Sequence, residues 1–196
     1  RIMMSKKDLS YNKDGAIWYK STDFGDEKDN RPGILFLGGF RSDMEGTKAK
    51  FLEDWSSKQK YNFVKFDYSG HGRSSNLFEN GCITDWKNDA CEVLDKLTKG
   101  PQILVGSSMG GWISILIAKL RPHRCRALIG IAAAPDFTEN SFWAGFDDTQ
   151  RTTLLDQGRI SLPSDYSHEP YVITKKLIED GRSNLVMGEP LNLPLP

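Results

Sequence analysis

Long apolar runs are missing from this 196-residue chain. The longest, over 112–118 and 127–135, fall far short of the roughly 18–20 residues that a membrane-spanning helix needs. The first ten residues, RIMMSKKDLS, are basic but hold no apolar stretch of about 7–15 residues, so no secretory signal is read there. Neither sign of charge is in excess: Lys+Arg and Asp+Glu number 26 each and the net charge is zero. That balance argues against a surface built to attract nucleic acid or an anionic membrane, and points to a small or neutral partner. Cysteine is scarce. Cys82, Cys91 and Cys125 are odd in number and show no C-x-x-C spacing, so neither a disulfide framework nor a zinc site is expected. Reduced core thiols in a reducing compartment, the cytoplasm, are the expectation.

What the chain does have is an ordinary globular composition, with 38% hydrophobic residues and 18 glycines. At this length a single domain that buries its own core is expected. Residues 16–21 alternate as a short strand, and the charged turn 23–33 suggests an opening hairpin. Continuous apolar runs follow at 34–37, 62–68, 103–105 and 127–134. Such runs suit strands covered on both faces, as in a parallel sheet. Helical stripes lie between them, at 48–58 through Phe51, Leu52 and Trp55, and at 83–97 through Trp86, Ala90, Val93, Leu94 and Leu97. A third helix, 111–120, is apolar nearly all round and belongs inside the layers. Alternating strand and helix gives an α/β fold, a mostly parallel sheet with flanking helices. The core is expected over 14–135, a helical lid over 136–187 with a helix at 172–179, and an extended tail over 188–196.

The sharpest signal is Gly106-Ser107-Ser108-Met109-Gly110, a G-x-S-x-G run between the strand PQILV and the helix GGWISILIAKL. A serine on a sharp strand-to-helix turn is forced into a strained backbone, and its neighbours must be glycine-sized. Ser108 is then the expected nucleophile. The helix N-terminus behind it aims free backbone N–H groups, Met109's among them, at a developing oxyanion. Gly38-Gly39-Phe40, after the earlier strand, would bring the Phe40 N–H as a second donor. Phosphate-binding alternatives fail on spacing: Gly39 to Gly46 encloses six residues before Thr47-Lys48, in the reverse of the P-loop order, and Gly70-His71-Gly72 has half of a dinucleotide fingerprint.

These residues resemble the α/β-hydrolase superfamily. PQILVGSSMGGW with LGGFRSDMEGTKA and FDYSGHGRSS is similar to mitochondrial palmitoyl-protein thioesterases and their bacterial relatives. The resemblance implies a serine hydrolase that cleaves acyl thioesters or carboxylic esters through an acyl-enzyme, with Ser108 as nucleophile and Phe40 and Met109 at the oxyanion positions. It implies no metal or organic cofactor, a small acyl ester, acyl thioester or S-acylated protein as partner, and the mitochondrial matrix in a eukaryote. The family places its acid and histidine after two further strands, some 60 residues on, that this chain is expected to lack. Strand 127–134 would then be an open sheet edge, inviting self-association or a complementing C-terminal fragment. A non-catalytic interaction module is the alternative reading.

A serine needs a base, normally a histidine held by a carboxylate. Of the three histidines, His71 is expected to tighten its turn and His123 to lie on the surface. Asp136 and His168 follow Ser108 in the order Ser, acid, His, and are the candidates within the chain. Phe142, Trp143 and Phe146 would line an acyl pocket or bury the lid on the sheet. Arg41 and Lys48 are expected to be solvated.

Overall fold

The computed structural model describes residues 9–10, 16–25, 30–163 and 170–196. Strands β1 (Leu9–Ser10) and β2 (Ala16–Ile17) pair antiparallel. The main sheet has five strands in the order β3-β5-β4-β6-β7. They are β3 (Tyr19–Thr22), β4 (Gly33–Leu37), β5 (Phe63–Phe66), β6 (Gln102–Ser107) and β7 (Cys125–Ile131). All neighbours are parallel except β3, which runs antiparallel to β5. The expected opening hairpin is therefore corrected: β3 skips β4 and pairs two places away. The reason is that β4 is buried along its whole length and takes a parallel neighbour on each side.

Side chains alternate across the sheet and so serve two layers. Ile34 and Phe36, Phe63 and Val105 meet Ala49 of α1 (Thr47–Gln59) on one face. Leu35, Leu37, Val64, Phe66 and Leu104 join the larger core on the other face, under α2 (Ile83–Leu97) and α3 (Met109–Leu120). Of the apolar face expected for α1, Leu52 packs on the smaller core, but Phe51 and Trp55 are corrected. Ala49 and Ser56 are its buried residues, whereas Phe51 is 71% exposed and Trp55 stacks on Tyr61. The sheet-facing stripe includes Glu53, because Lys65 of β5 points into that layer and needs a carboxylate there.

After β7 come a π-helical segment (Thr138–Trp143), α4 (Asp148–Gln157), the antiparallel ribbon β8 (Arg159–Leu162) and β9 (Tyr171–Thr174), and α5 (Lys175–Arg182). Asp147 and Gln150 form a reciprocal capping box on α4, and Gly158 ends it at φ +75°. Residues 172–174, expected to open a helix, belong instead to strand β9: Val172, Ile173 and Thr174 are β-branched, and the Thr174 side chain caps α5 by accepting from the Leu177 N–H. The tail returns to the core. Trp112 Nε1 donates to Asn184 O at 2.9 Å, Leu193 and Leu195 pack on the larger core, and Leu128 N of β7 donates to Pro196 O at 3.2 Å. No helix among the described residues is long and apolar enough to cross a membrane.

Candidate active site

The site grows from the β6–α3 turn. Ser108 precedes the first residue of α3 with φ +53° and ψ −118°, a region that side chains rarely adopt. Three backbone hydrogen bonds fix it there: Ser108 N donates to Ile131 O at 3.1 Å, and Ser108 O accepts from Gly111 N at 2.9 Å and Ala134 N at 3.0 Å. The turn is tight because of its glycines. A Cβ on Gly106 would lie 2.5 Å from the Gly110 carbonyl carbon and closer still to its oxygen. A Cβ on Gly110 would lie 2.6 Å from the Leu37 carbonyl carbon, again closer to the oxygen. Strand β4, strand β6 and helix α3 thus meet backbone to backbone around Ser108. Because glycine adopts this φ and ψ without a Cβ clash, Ser108→Gly is expected to melt a few degrees above Ser108→Ala. The difference reflects about 1 kcal/mol of released strain after glycine's own entropic cost, read by thermal unfolding of both variants.

The loop after β4 lies against this serine: a Cβ on Gly39 would sit 3.4 Å from the Ser108 Cβ. Phe40 follows, its ring packed edge-on to Phe78 at 4.9 Å and Phe137 at 5.3 Å, and tilted against Phe142 at 5.7 Å. Met109, buried, begins α3, whose first-turn amides have no partners within the helix.

The remaining candidates divide. Asp136 is buried at φ +58°, and its carboxylate accepts from Val186 N at 2.9 Å and Met187 N at 2.8 Å, tying the tail down. His168 lies outside the described residues. His71 is buried beside Tyr68, Phe78 and Trp86 with Nδ1 3.1 Å from Ser69 O; burial lowers its pKa to about 4, so the ring is neutral. His123 is exposed in the turn before β7, and Lys48 is exposed on α1. Phe142 joins the rings around Phe40 and Phe146 is buried, whereas the Trp143 indole is held by the guanidinium groups of Arg151 at 5.1 Å and Arg182 at 4.7 Å. Arg41 is not simply solvated. It donates to Pro170 O at 3.1 Å with its guanidinium over the Phe78 and Tyr171 rings.

Two carboxylates that hold the site's loops were missed in the sequence. Asp67 accepts from Met44 N at 2.7 Å and Arg73 N at 3.0 Å, joining the loop after β4 to the turn after β5. Asp89 accepts from Ser69 N at 2.8 Å, and burial pushes its pKa up to about 6. The available signal for Asp67 was a carboxylate between the aromatic residues Phe66 and Tyr68 at the end of a strand run. Among the described residues no group of His, Cys, Asp and Glu side chains is placed to hold a metal ion.

A parallel sheet with a glycine-packed, left-handed serine at the β6–α3 turn defines an α/β hydrolase. The chain belongs to that family: the family model described as the alpha/beta hydrolase fold matches residues 36–174. It is 36% identical over 170 residues to the mitochondrial palmitoyl-protein thioesterase ABHD10 of Rattus norvegicus, covering 86% of this chain and 57% of the rat protein. The chain thus spans little more than half the length of that relative. A solved structure from Agrobacterium vitis S4 superposes with TM-score 0.91 at 35% identity, over 100% of this chain and 77% of that one. The structure of alpha/beta hydrolase domain-containing protein 10 from mouse gives TM-score 0.84 at 31% identity, over 98% and 75% respectively.

Proposed function

We propose that this chain carries the nucleophile part of a serine thioesterase or esterase. The observation that carries the reading is Ser108 itself, held at φ +53° by three backbone hydrogen bonds and by glycines that admit no side chain. Strain of this kind persists where the surroundings over-determine it, and at a strand-to-helix turn it lifts the hydroxyl clear of the sheet. In the proposed reaction Ser108 Oγ loses its proton to a base and bonds to the acyl carbon. The carbonyl oxygen becomes an oxyanion that accepts from the N–H groups of Met109 and Phe40. The thiol or alcohol leaves with a proton, and water then hydrolyses the acyl-enzyme. Chain order offers Asp136 and His168 as acid and base; since the tail amides already occupy Asp136, that pair rests on order alone. No cofactor is required by this chemistry.

The relatives support an acyl thioester substrate, an S-acylated protein included, because the rat relative is named a palmitoyl-protein thioesterase. Its mitochondrial name supports the matrix if the protein is eukaryotic; free buried Cys82, Cys91 and Cys125 suit that compartment or a bacterial cytoplasm equally. The test is release of free thiol from a palmitoyl thioester and from a short-chain thioester, by wild type and Ser108→Ala. Loss of all turnover in the variant is expected, and turnover that survives it overturns the reading. The second reading, a non-catalytic module, is favoured by the position of β7 at the margin of the sheet with Ile129 51% exposed. A solution mass of one 22.1 kDa chain would count against self-association there.

A further inference from the structure

Arg41 directly follows the proposed oxyanion donor Phe40, and it is one of the few non-glycine residues at positive φ, +58°. A left-handed arginine is uncommon and needs its surroundings to hold it. Its backbone is closed locally in the turn 39–42, where Ser42 N and Oγ donate to Gly39 O at 3.2 and 2.8 Å, but its side chain is held from far along the chain. Its Nη1 donates to Pro170 O at 3.1 Å, and its Cζ lies 4.9 Å from the centre of the Tyr171 ring, at the start of β9. On its other contact the guanidinium lies 5.2 Å from the centre of Phe78, the same ring that packs on Phe40 at 4.9 Å. Arg41 therefore joins the β8–β9 ribbon to the loop that carries Phe40, by backbone through its own φ and by side chain through Phe78. The ribbon is also attached through the core, where Ile173 is buried, and by an ion pair in which Arg159 Nη1 meets Oε2 of Glu79, the residue after Phe78, at 3.0 Å, with both side chains about half exposed.

We propose that Arg41 is a positioning residue that couples the β8–β9 ribbon to the Phe40 loop, so that the Phe40 N–H is held more rigidly while the ribbon is docked on Arg41. The proposal rests on the reading of Phe40 as an oxyanion donor, but its structural half stands without it. When the ribbon leaves, Arg41 loses its carbonyl and one ring, and the turn that carries the Phe40–Arg41 peptide keeps only the Ser42 bonds to Gly39 O, so it opens more often. A substrate that displaces Tyr171 would thereby loosen its own oxyanion site, whereas one that leaves the ribbon seated keeps it rigid. Arg41 would thus favour acyl and leaving groups that fit beneath a docked ribbon.

The experiment is amide hydrogen exchange on this chain as wild type, Arg41→Ala, Arg41→Lys and Glu79→Gln, with the β6 peptide 102–107 as the report that each variant is folded. Arg41→Ala is expected to speed exchange roughly ten-fold both in 38–44 and in 171–174, reflecting loss of one hydrogen bond and two cation–π contacts. Arg41→Lys, which keeps the charge but not the planar stacking, is expected to speed both by less. Glu79→Gln is expected to loosen the ribbon and leave 38–44 at the wild-type rate. Exchange in 38–44 unchanged by Arg41→Ala, or raised equally by Glu79→Gln, overturns the coupling. Rates of Ser108 phosphonylation by a fluorophosphonate run alongside: a fall with Arg41→Ala but not Glu79→Gln supports the oxyanion role. If Ser108 reacts in no variant, the reading of the site as a hydrolase fails while the exchange data still decide the coupling.

Discussion

Gly110→Ala is expected to unfold the site from within. The new Cβ would overlap the Leu37 carbonyl oxygen and lie 2.7 Å from the Gly38 carbonyl oxygen, so both obstacles are backbone atoms of the central strand and its loop. A flexible side chain could swing away; a β4 carbonyl cannot, because β4 is hydrogen-bonded on both sides to β5 and β6. Either α3 is pushed off the sheet, with buried Trp112 and Ile113 on it, or the β4 ladder breaks. Overpacking against rigid backbone belongs among the exceptional substitutions, and about 4 kcal/mol or more is expected. For a chain of this size that lowers the melting temperature by roughly 8–16 °C, read by circular dichroism or calorimetry. A fall of a degree or two would show that strand and helix are less closely apposed than described.

Glu53→Gln is expected to cost nearly as much, and more than removal of its partner. Lys65 on β5 is 1% exposed and meets Glu53 at 2.7 Å, with Glu45 a more distant second carboxylate at 3.7 Å. Lys20 also bonds Glu53. Neutralising Glu53 therefore strands a buried ammonium, at about 3 kcal/mol. Lys65→Met leaves Glu53 still paired to Lys20 and fills the same space with an apolar chain, so less than about 1.5 kcal/mol is expected. Denaturant unfolding of the two variants reads the asymmetry; equal losses would contradict it. The same pair sets a pH dependence. Burial acts to raise the Glu53 pKa, but the hydrogen bonds and charges of Lys20 and Lys65 outweigh it and hold the carboxyl below its usual range. A lowered folded-state pKa contributes stability that is full above the unfolded value, near 4.3, and is lost as pH falls through the folded value. Acid unfolding of wild type should thus be steeper below about pH 4.3 than that of Glu53→Gln.

Much of the architecture was legible because it is local. The four apolar runs, the glycines around Ser108 and the all-apolar helix behind it each carry their meaning within about a dozen residues. The errors fall where meaning depends on a distant partner. The stripe of α1 holds at Leu52 but not at Phe51 and Trp55, because Glu53 faces inward in answer to Lys65, a residue on another strand. Pairing of β3 with β5, not β4, is set by how many neighbours β4 takes, which no local pattern encodes. Residues 172–174 read as the start of a helix because they run straight into the helical residues of α5, while Thr174 stops the strand by capping that helix. Arg41 looked solvated because Pro170 and Tyr171 lie some 130 residues away. The candidate site divides in the same way: Ser108, Met109 and Gly39-Phe40 follow from adjacent residues, whereas the loop-holding roles of Asp67 and Asp89 required the fold.

Whether Ser108 is the nucleophile is decided by reaction of the folded protein with a fluorophosphonate, the adduct located by peptide mass spectrometry and Ser108→Ala run beside it. One phosphonyl group on Ser108 is expected in wild type and none in the variant; an adduct on another residue that persists in Ser108→Ala, or a folded wild type that takes up no label, would show that Ser108 is not the nucleophile.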